Sequence, residues 1–195
     1  MQERPSVLSA LAKLSAVILL SAFPALPQTQ NRVIEWMKSP FGSDSGKIQA
    51  QMKQADIIDI EDVSVGGKSI TIGEPFAADV AWIKEVSFRV RNVSPQPVKS
   101  VQIHVYLTEF KGPPYLDFCY GCGGTEKVLM PGDEVKPAVL LFYDWARDVI
   151  AGQGGDISTI RKASIRDIQV YLPDGTMFIC VRNANGRSVC GSPSS

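Results

Sequence analysis

From Ile57 onward the chain is patterned in twos. Val86, Phe88 and Val90 alternate with Ser87, Arg89 and Arg91; Val101, Ile103, Val105 and Leu107 alternate with Gln102, His104, Tyr106 and Thr108. Successive side chains of a strand point to opposite faces, so these runs read as strands with one face in a core and one in water. Strands of a parallel sheet are covered on both faces and call for continuous apolar runs, so the pattern reads as antiparallel. The same period runs through Ile58, Ile60, Val63 and Val65, through Val139 and Leu141 within 135–142, and through Ile168 and Val170 within 165–172. Shorter strands are expected over 69–72, 126–130, 176–182 and 188–190. Gly66-Gly67, Asn92-Val93-Ser94-Pro95, Pro131-Gly132-Asp133 and Pro173-Asp174-Gly175 punctuate the runs with turn chemistry. About seven to eight short strands at this spacing make a mainly β, antiparallel sandwich. One short crossover helix is expected over 145–151, with Asp144 as its N-cap and Gly152 just past its end. Trp82, ahead of the strand from Val86, is preferred to Trp145 as the core tryptophan.

The first 26 residues read as an address. Arg4 and Lys13 precede ten uncharged residues, Leu14 to Phe23, too few to span a hydrocarbon core of about 20 helical residues. This is the build of a signal peptide, cleaved after Ala22 or Ala25, or of an uncleaved N-terminal anchor helix. All four cysteines lie beyond residue 118, which argues against a lipid-anchored lipoprotein. Residues 27–55 read as a linker with weak helical segments: Val33, Ile34 and Met37 would share one side of a helix over 31–38, and Ile48, Met52 and Ala55 one side of another. The sandwich then occupies 56–191, and 192–195 form a disordered tail rich in Ser and Pro.

Charge excludes some partners. Of 195 residues, 20 are Lys or Arg and 20 Asp or Glu. Without residues 1–30 the balance is 18 to 19, a net charge of −1. Such a chain has no field for nucleic acid, and it meets a membrane only through its N-terminal segment. No nucleotide-binding glycine pattern occurs, and no cofactor is expected. His104, the single histidine, is expected on the polar face of its strand, open to solvent or to a second layer. Gly42-Ser43-Asp44-Ser45-Gly46 lies in the linker, with nothing else to support a catalytic triad.

Three stretches carry a resemblance. Val86 to Ser94, with Pro97-Val98 and the strand to Leu107, makes an extended strand, an Asn-x-Ser turn and a returning strand. Leu129-Met130-Pro131-Gly132-Asp133-Glu134-Val135 is a Pro-Gly-acidic entry to a later strand. Val170 to Phe178 is a closing hairpin in which an aromatic follows Asp174-Gly175-Thr176. Together they resemble the immunoglobulin-like sandwich modules of secreted bacterial proteins over residues 56–182. The resemblance implies an Ig-like sandwich and, being turn chemistry, says little about function.

The cysteines admit three readings. In an exported chain an even count favours disulfides. A hairpin loop over 183–187 sets Arg182 opposite Ser188 and Cys180 opposite Cys190, and Gly121 lets Cys119 and Cys122 close a small loop, so 119–122 and 180–190 are the preferred pairs. Alternatively, Cys119-Tyr120-Gly121-Cys122-Gly123-Gly124 has the shape of a zinc knuckle, or of the dithiol of an envelope thiol–disulfide oxidoreductase. Tyr115, Phe118 and Tyr120, with Tyr106 nearby, form a candidate interaction loop around that pair. The sequence therefore reads as an exported, non-catalytic binding or structural module of the bacterial cell envelope. Its partner would be an envelope protein or a glycan.

Overall fold

The structure is a computed structural model that describes residues 30–36, 56–124, 127–182 and 188–192. The N-terminal address, the second weak helix, the hairpin tip at 183–187 and residues 193–195 lie outside the described residues. The strands are β1 (Gln30–Trp36), β2 (Ile58–Val65), β3 (Lys68–Ile70), β4 (Pro75–Ala78), β5 (Val86–Asn92), β6 (Ser100–Tyr106), β7 (Tyr115–Tyr120), β8 (Glu134–Val135), β9 (Val139–Leu141), β10 (Lys162–Tyr171), β11 (Met177–Arg182) and β12 (Ser188–Gly191). The helices are α1 (Trp82–Glu85) and α2 (Tyr143–Gly152), with a 3-10 turn over Ile157–Thr159.

The larger sheet runs β12-β11-β10-β6-β7-β9, with β1 beside β10 and β4 beside β1; the smaller runs β3-β2-β5-β8. The fold is mainly β, but the larger sheet is mixed rather than purely antiparallel. The exception is β1, which lies parallel to β10 with Ile34 opposite Ala163. Here the linker reading fails, because 30–36 is a strand and not a helix. Val33, Ile34 and Trp36 favour extended backbone, and ladders to β10 on one side and β4 on the other take up its backbone groups. The alternation was disguised by a charge. Arg32 and Ile34 are both fully buried, and an arginine at an inward position does not read as core. Its guanidinium is compensated by donating to the carbonyls of Ile160 and Ser158 and by lying 5.5 Å from the ring of Trp82.

One buried cluster joins the two sheets: Ile58, Val63, Phe88 and Val90 from the smaller, Val101, Ile103, Val105, Ile165 and Ile168 from the larger. Phe88 and Phe118 meet across it edge to face at 5.0 Å. Trp82 is the core tryptophan, 1% exposed, while Trp145 is 46% exposed. The run 135–142 is divided between sheets: Val135 pairs with Val90, and 139–141 pair with β7. The helix starts two residues before the expected position. Phe142, not Asp144, occupies its N-cap and makes no side-chain cap, and Gly152 is its last residue rather than the residue beyond.

Turn residues are tied down by their own side chains. Asn92 is fully buried. Its amide donates to the carbonyls of Gln96 and Leu129 and accepts from the backbone N–H and hydroxyl of Ser94. At the other end, Cys180 and Cys190 face each other in the β11–β12 ladder and are bonded, both fully buried. Replacing both with Ser is expected to lower the unfolding free energy by about 3 kcal/mol, through the loop entropy restored to the unfolded chain. Urea unfolding of the oxidised wild type beside the variant measures it.

Candidate functional site

The outer face of the larger sheet, away from the core, holds the residues of most interest. On β6 the outward positions are Gln102, His104 and Tyr106. Their neighbours across the ladders are Cys119, Asp117 and Tyr115 of β7. On the other side of β6 the facing residues are Gln169 and Asp167 of β10. The register of β10 shifts between Ile165 and Asp167, while Ile165 and Ile168 both point into the core. An extra residue in one strand re-aims its neighbours. Arg166 and Asp167 thereby both serve the outer face.

Of the two surroundings expected for its polar face, His104 has the second layer and not solvent; it is 8% exposed. Its Nδ1 lies 2.8 Å from a carboxylate oxygen of Asp117 and its Nε2 3.8 Å from one of Asp167. Burial works against the imidazolium. The hydrogen bond and charge of Asp117, then Asp167 and Gln169, outweigh it, and His104 holds its proton above the ordinary histidine range. Burial pushes the Asp167 carboxyl up, opposed by His104 and Arg166. With both nitrogens turned to carboxylates and the ring enclosed, it is the protonated form of His104 that links β6, β7 and β10. Period two predicts the correct face for it. What it cannot supply is the cover that neighbouring side chains place over that face.

Above this charged layer stands an aromatic platform. Tyr115 is its centre, at 5.7 Å from His104, 5.6 Å from Tyr106, 5.5 Å from Phe142 and 5.3 Å from Trp145. Phe142 and Trp145 are 6.4 Å apart. The guanidinium of Arg166 lies 5.1 Å over Tyr106. Phe142 and Trp145 are each 46% exposed. Phe142 is also the only non-glycine among the described residues with positive φ, at 62°. That conformation is rare for a bulky side chain and costs on the order of 1–3 kcal/mol. The backbone thus takes on strain to start α2 with a phenyl ring at the surface.

Of the three aromatic residues expected to form an interaction loop, only Tyr115 serves this surface. Residues 115–120 are the strand β7, not a loop. Phe118 points the other way into the core, 3% exposed. Tyr120 is half-buried, and its hydroxyl donates to the carbonyl of Lys127. That Phe142 and Trp145 stand together at the surface is not legible in the sequence, because their exposure depends on where α2 begins. The bulge had a signal in the sequence: Ile165 and Ile168 are three apart where period two requires an even number.

The second cysteine pair borders the same face. Cys119, fully buried on β7, is bonded to Cys122, exposed in the turn that follows. All four cysteines are therefore in disulfides. Among the described residues no group of three or more His, Cys, Asp and Glu side chains is placed to hold a metal. Cys119 sits on a strand rather than at a helix N-terminus, where a thiol would be activated. Gly121, at φ 80°, makes the turn. A Cβ there would meet the carbonyl oxygen of Lys99 and come within 2.9 Å of Ser100 Cα. Gly121→Ala is expected to destabilise the fold by about 2 kcal/mol, from strain and backbone overlap together, and thermal unfolding measures it.

No protein-family model, no curated protein and no solved structure matches the chain. Function has to be read from the platform and the disulfides themselves. Among the described residues no helix is long and apolar enough to cross a membrane.

Proposed function

We propose that the chain is an exported, non-catalytic binding module of a bacterial cell envelope, an immunoglobulin-like sandwich whose outer sheet face carries the binding surface. The observation that supports this most is the platform of Tyr106, Tyr115, Phe142 and Trp145, where left-handed backbone holds a half-exposed phenyl ring against a half-exposed indole. Rigid, partly exposed aromatics supply binding area at little conformational cost. Two bonded cysteine pairs accord with an oxidising compartment.

Two measurements test the proposal. The full chain, expressed in a bacterium with its first residues intact, is expected in the envelope fraction with both bridges formed. A non-reducing intact mass with thiol alkylation reads the bridges and the mature N-terminus together. A photo-crosslinking amino acid at Trp145 is expected to capture envelope material in living cells, while one at exposed Val80, in the segment between β4 and α1, does not. Cytoplasmic retention with reactive thiols, or equal capture at both positions, would overturn the proposal.

A further inference from the structure

The two bridges differ in what a thiol from solvent can reach. Cys180 and Cys190 are both fully buried, opposite each other in the β11–β12 ladder, with Ile168 of β10 on the far side of Cys180. Cys119 is also fully buried, flanked across the ladders by Gln102 of β6 and Val139 of β9. Cys122 is exposed. A thiolate attacks a disulfide in line, entering opposite the sulfur that leaves, so access decides which sulfur is attacked. Of the four sulfurs, that of Cys122 alone belongs to an exposed residue. Attack there expels Cys119. Attack at Cys119, or at either sulfur of the other bridge, would have to come through packed chain.

The fold also depends less on this bridge than on the other. Its cysteines are 3 residues apart in sequence against 10, and the shorter loop removes less entropy from the unfolded chain. The turn that carries Cys122 has supports of its own. Gly121, at φ 80°, lies so close to the Lys99 carbonyl and to Ser100 that no Cβ fits. The Tyr120 hydroxyl donates to the carbonyl of Lys127, and the Gln102 amide donates to Cys122 Sγ at 3.3 Å. Opening the bridge therefore leaves the two thiols side by side. We propose that Cys122 is a site of thiol–disulfide exchange, where a dithiol reductant opens the Cys119–Cys122 bridge reversibly while Cys180–Cys190 stays closed. One thiolate of the reductant bonds to Cys122 Sγ, the bond between the two cysteine sulfurs breaks, and Cys119 leaves with the electron pair and takes up a proton. The second thiolate of the reductant then attacks its own sulfur in the mixed disulfide and expels Cys122, which is protonated in turn. The Gln102 N–H faces the charge that forms on that departing sulfur. The two cysteines gain two electrons, and the dithiol is oxidised to its disulfide. This chemistry goes beyond the binding reading and does not rest on it.

The test treats the oxidised full chain with excess glutathione or with dithiothreitol. Samples are quenched in acid, unfolded and alkylated, and their peptides are read by mass spectrometry. The trapped mixed disulfide should carry glutathione on Cys122, with Cys119 alkylated and Cys180–Cys190 intact. Under dithiothreitol the 119–122 bridge should open at least about tenfold faster than the other, while the protein keeps its folded amide spectrum. Removing the reductant and adding oxidised glutathione should restore the 119–122 pair. Glutathione on Cys119, equal rates for the two bridges, opening in denaturant alone, or scrambled re-closure would each overturn the proposal. None of these results touches the aromatic platform, so the binding reading stands or falls separately.

Discussion

Trp82→Ala is expected to lower the unfolding free energy by about 4 kcal/mol, the range for removing a large aromatic from a closed core. Trp82 sits where three parts of the chain meet. Its ring lies edge-on to Phe76 of β4 at 5.4 Å and carries the Arg32 guanidinium of β1 on its face. Its indole N–H donates to the carbonyl of Ile160 at 3.2 Å, and Arg32 donates to the same carbonyl. Removing the indole therefore opens a cavity and also leaves a buried arginine without its aromatic partner. The loss should appear as a shift in urea midpoint with unchanged slope, and as a fall of roughly 10 °C in Tm. Arg32→Met tests the coupling, because an unbranched apolar side chain of similar length needs no charge compensation. Its penalty should be much smaller in the Trp82→Ala background than in the wild type, and additive losses would show that the two residues act independently.

His104→Ala should be comparably costly, about 3 kcal/mol, for an electrostatic reason. The substitution leaves Asp117 and Asp167 enclosed without the cation between them, and breaking a buried pair by removing one partner is severe. A pH signature separates this from a simple loss of packing. The folded state raises the pKa of His104, so folding favours the protonated ring. That stabilisation is complete below the unfolded histidine value, about 6.5. It is lost as pH rises through the folded pKa. Wild-type stability should therefore decline as pH rises above about 6.5, and that part of the decline should vanish in His104→Ala. Asp167, also raised, contributes in the same direction but earlier, from the ordinary carboxylate range of about 4 upward. The variant, with bare carboxylates, should recover stability on acidification. Urea melts at a series of pH values, with the imidazole resonances followed by NMR, measure both curves. A wild-type curve flat above about pH 6.5 would refute the charge role.

The same surface shows how unevenly structure is written in the chain. Alternation in β5, β6 and the second half of β10 is legible because each side chain's face is settled by its neighbours two residues away. Cys180 and Cys190 could be set opposite each other for the same reason: a hairpin loop of fixed length determines the register. The turns at Asn92 and Asp174 are local too, since each side chain bonds backbone within a few residues. The strand at 30–36 failed this kind of reading. Its partners are more than a hundred residues away in β10 and some forty away in β4, and its inward arginine is tolerable only because Ile160, Ser158 and Trp82 converge on it.

The platform lies at the far end of that scale. His104, Asp117 and Asp167 come from three strands, Phe142 and Trp145 from the start of a helix, and Tyr115 joins them at the centre. By itself the sequence determined the strand period, the turns, the facing cysteines and an electrically neutral chain, because these depend on near neighbours and on sums. Which outward residues would be roofed over, which aromatic would turn inward as Phe118 does, and that Tyr115 would gather a charged layer beneath it and exposed rings around it were decided only by the tertiary structure. Those outcomes depend on contacts between segments whose register and bulges are fixed together, when the two sheets close on one core.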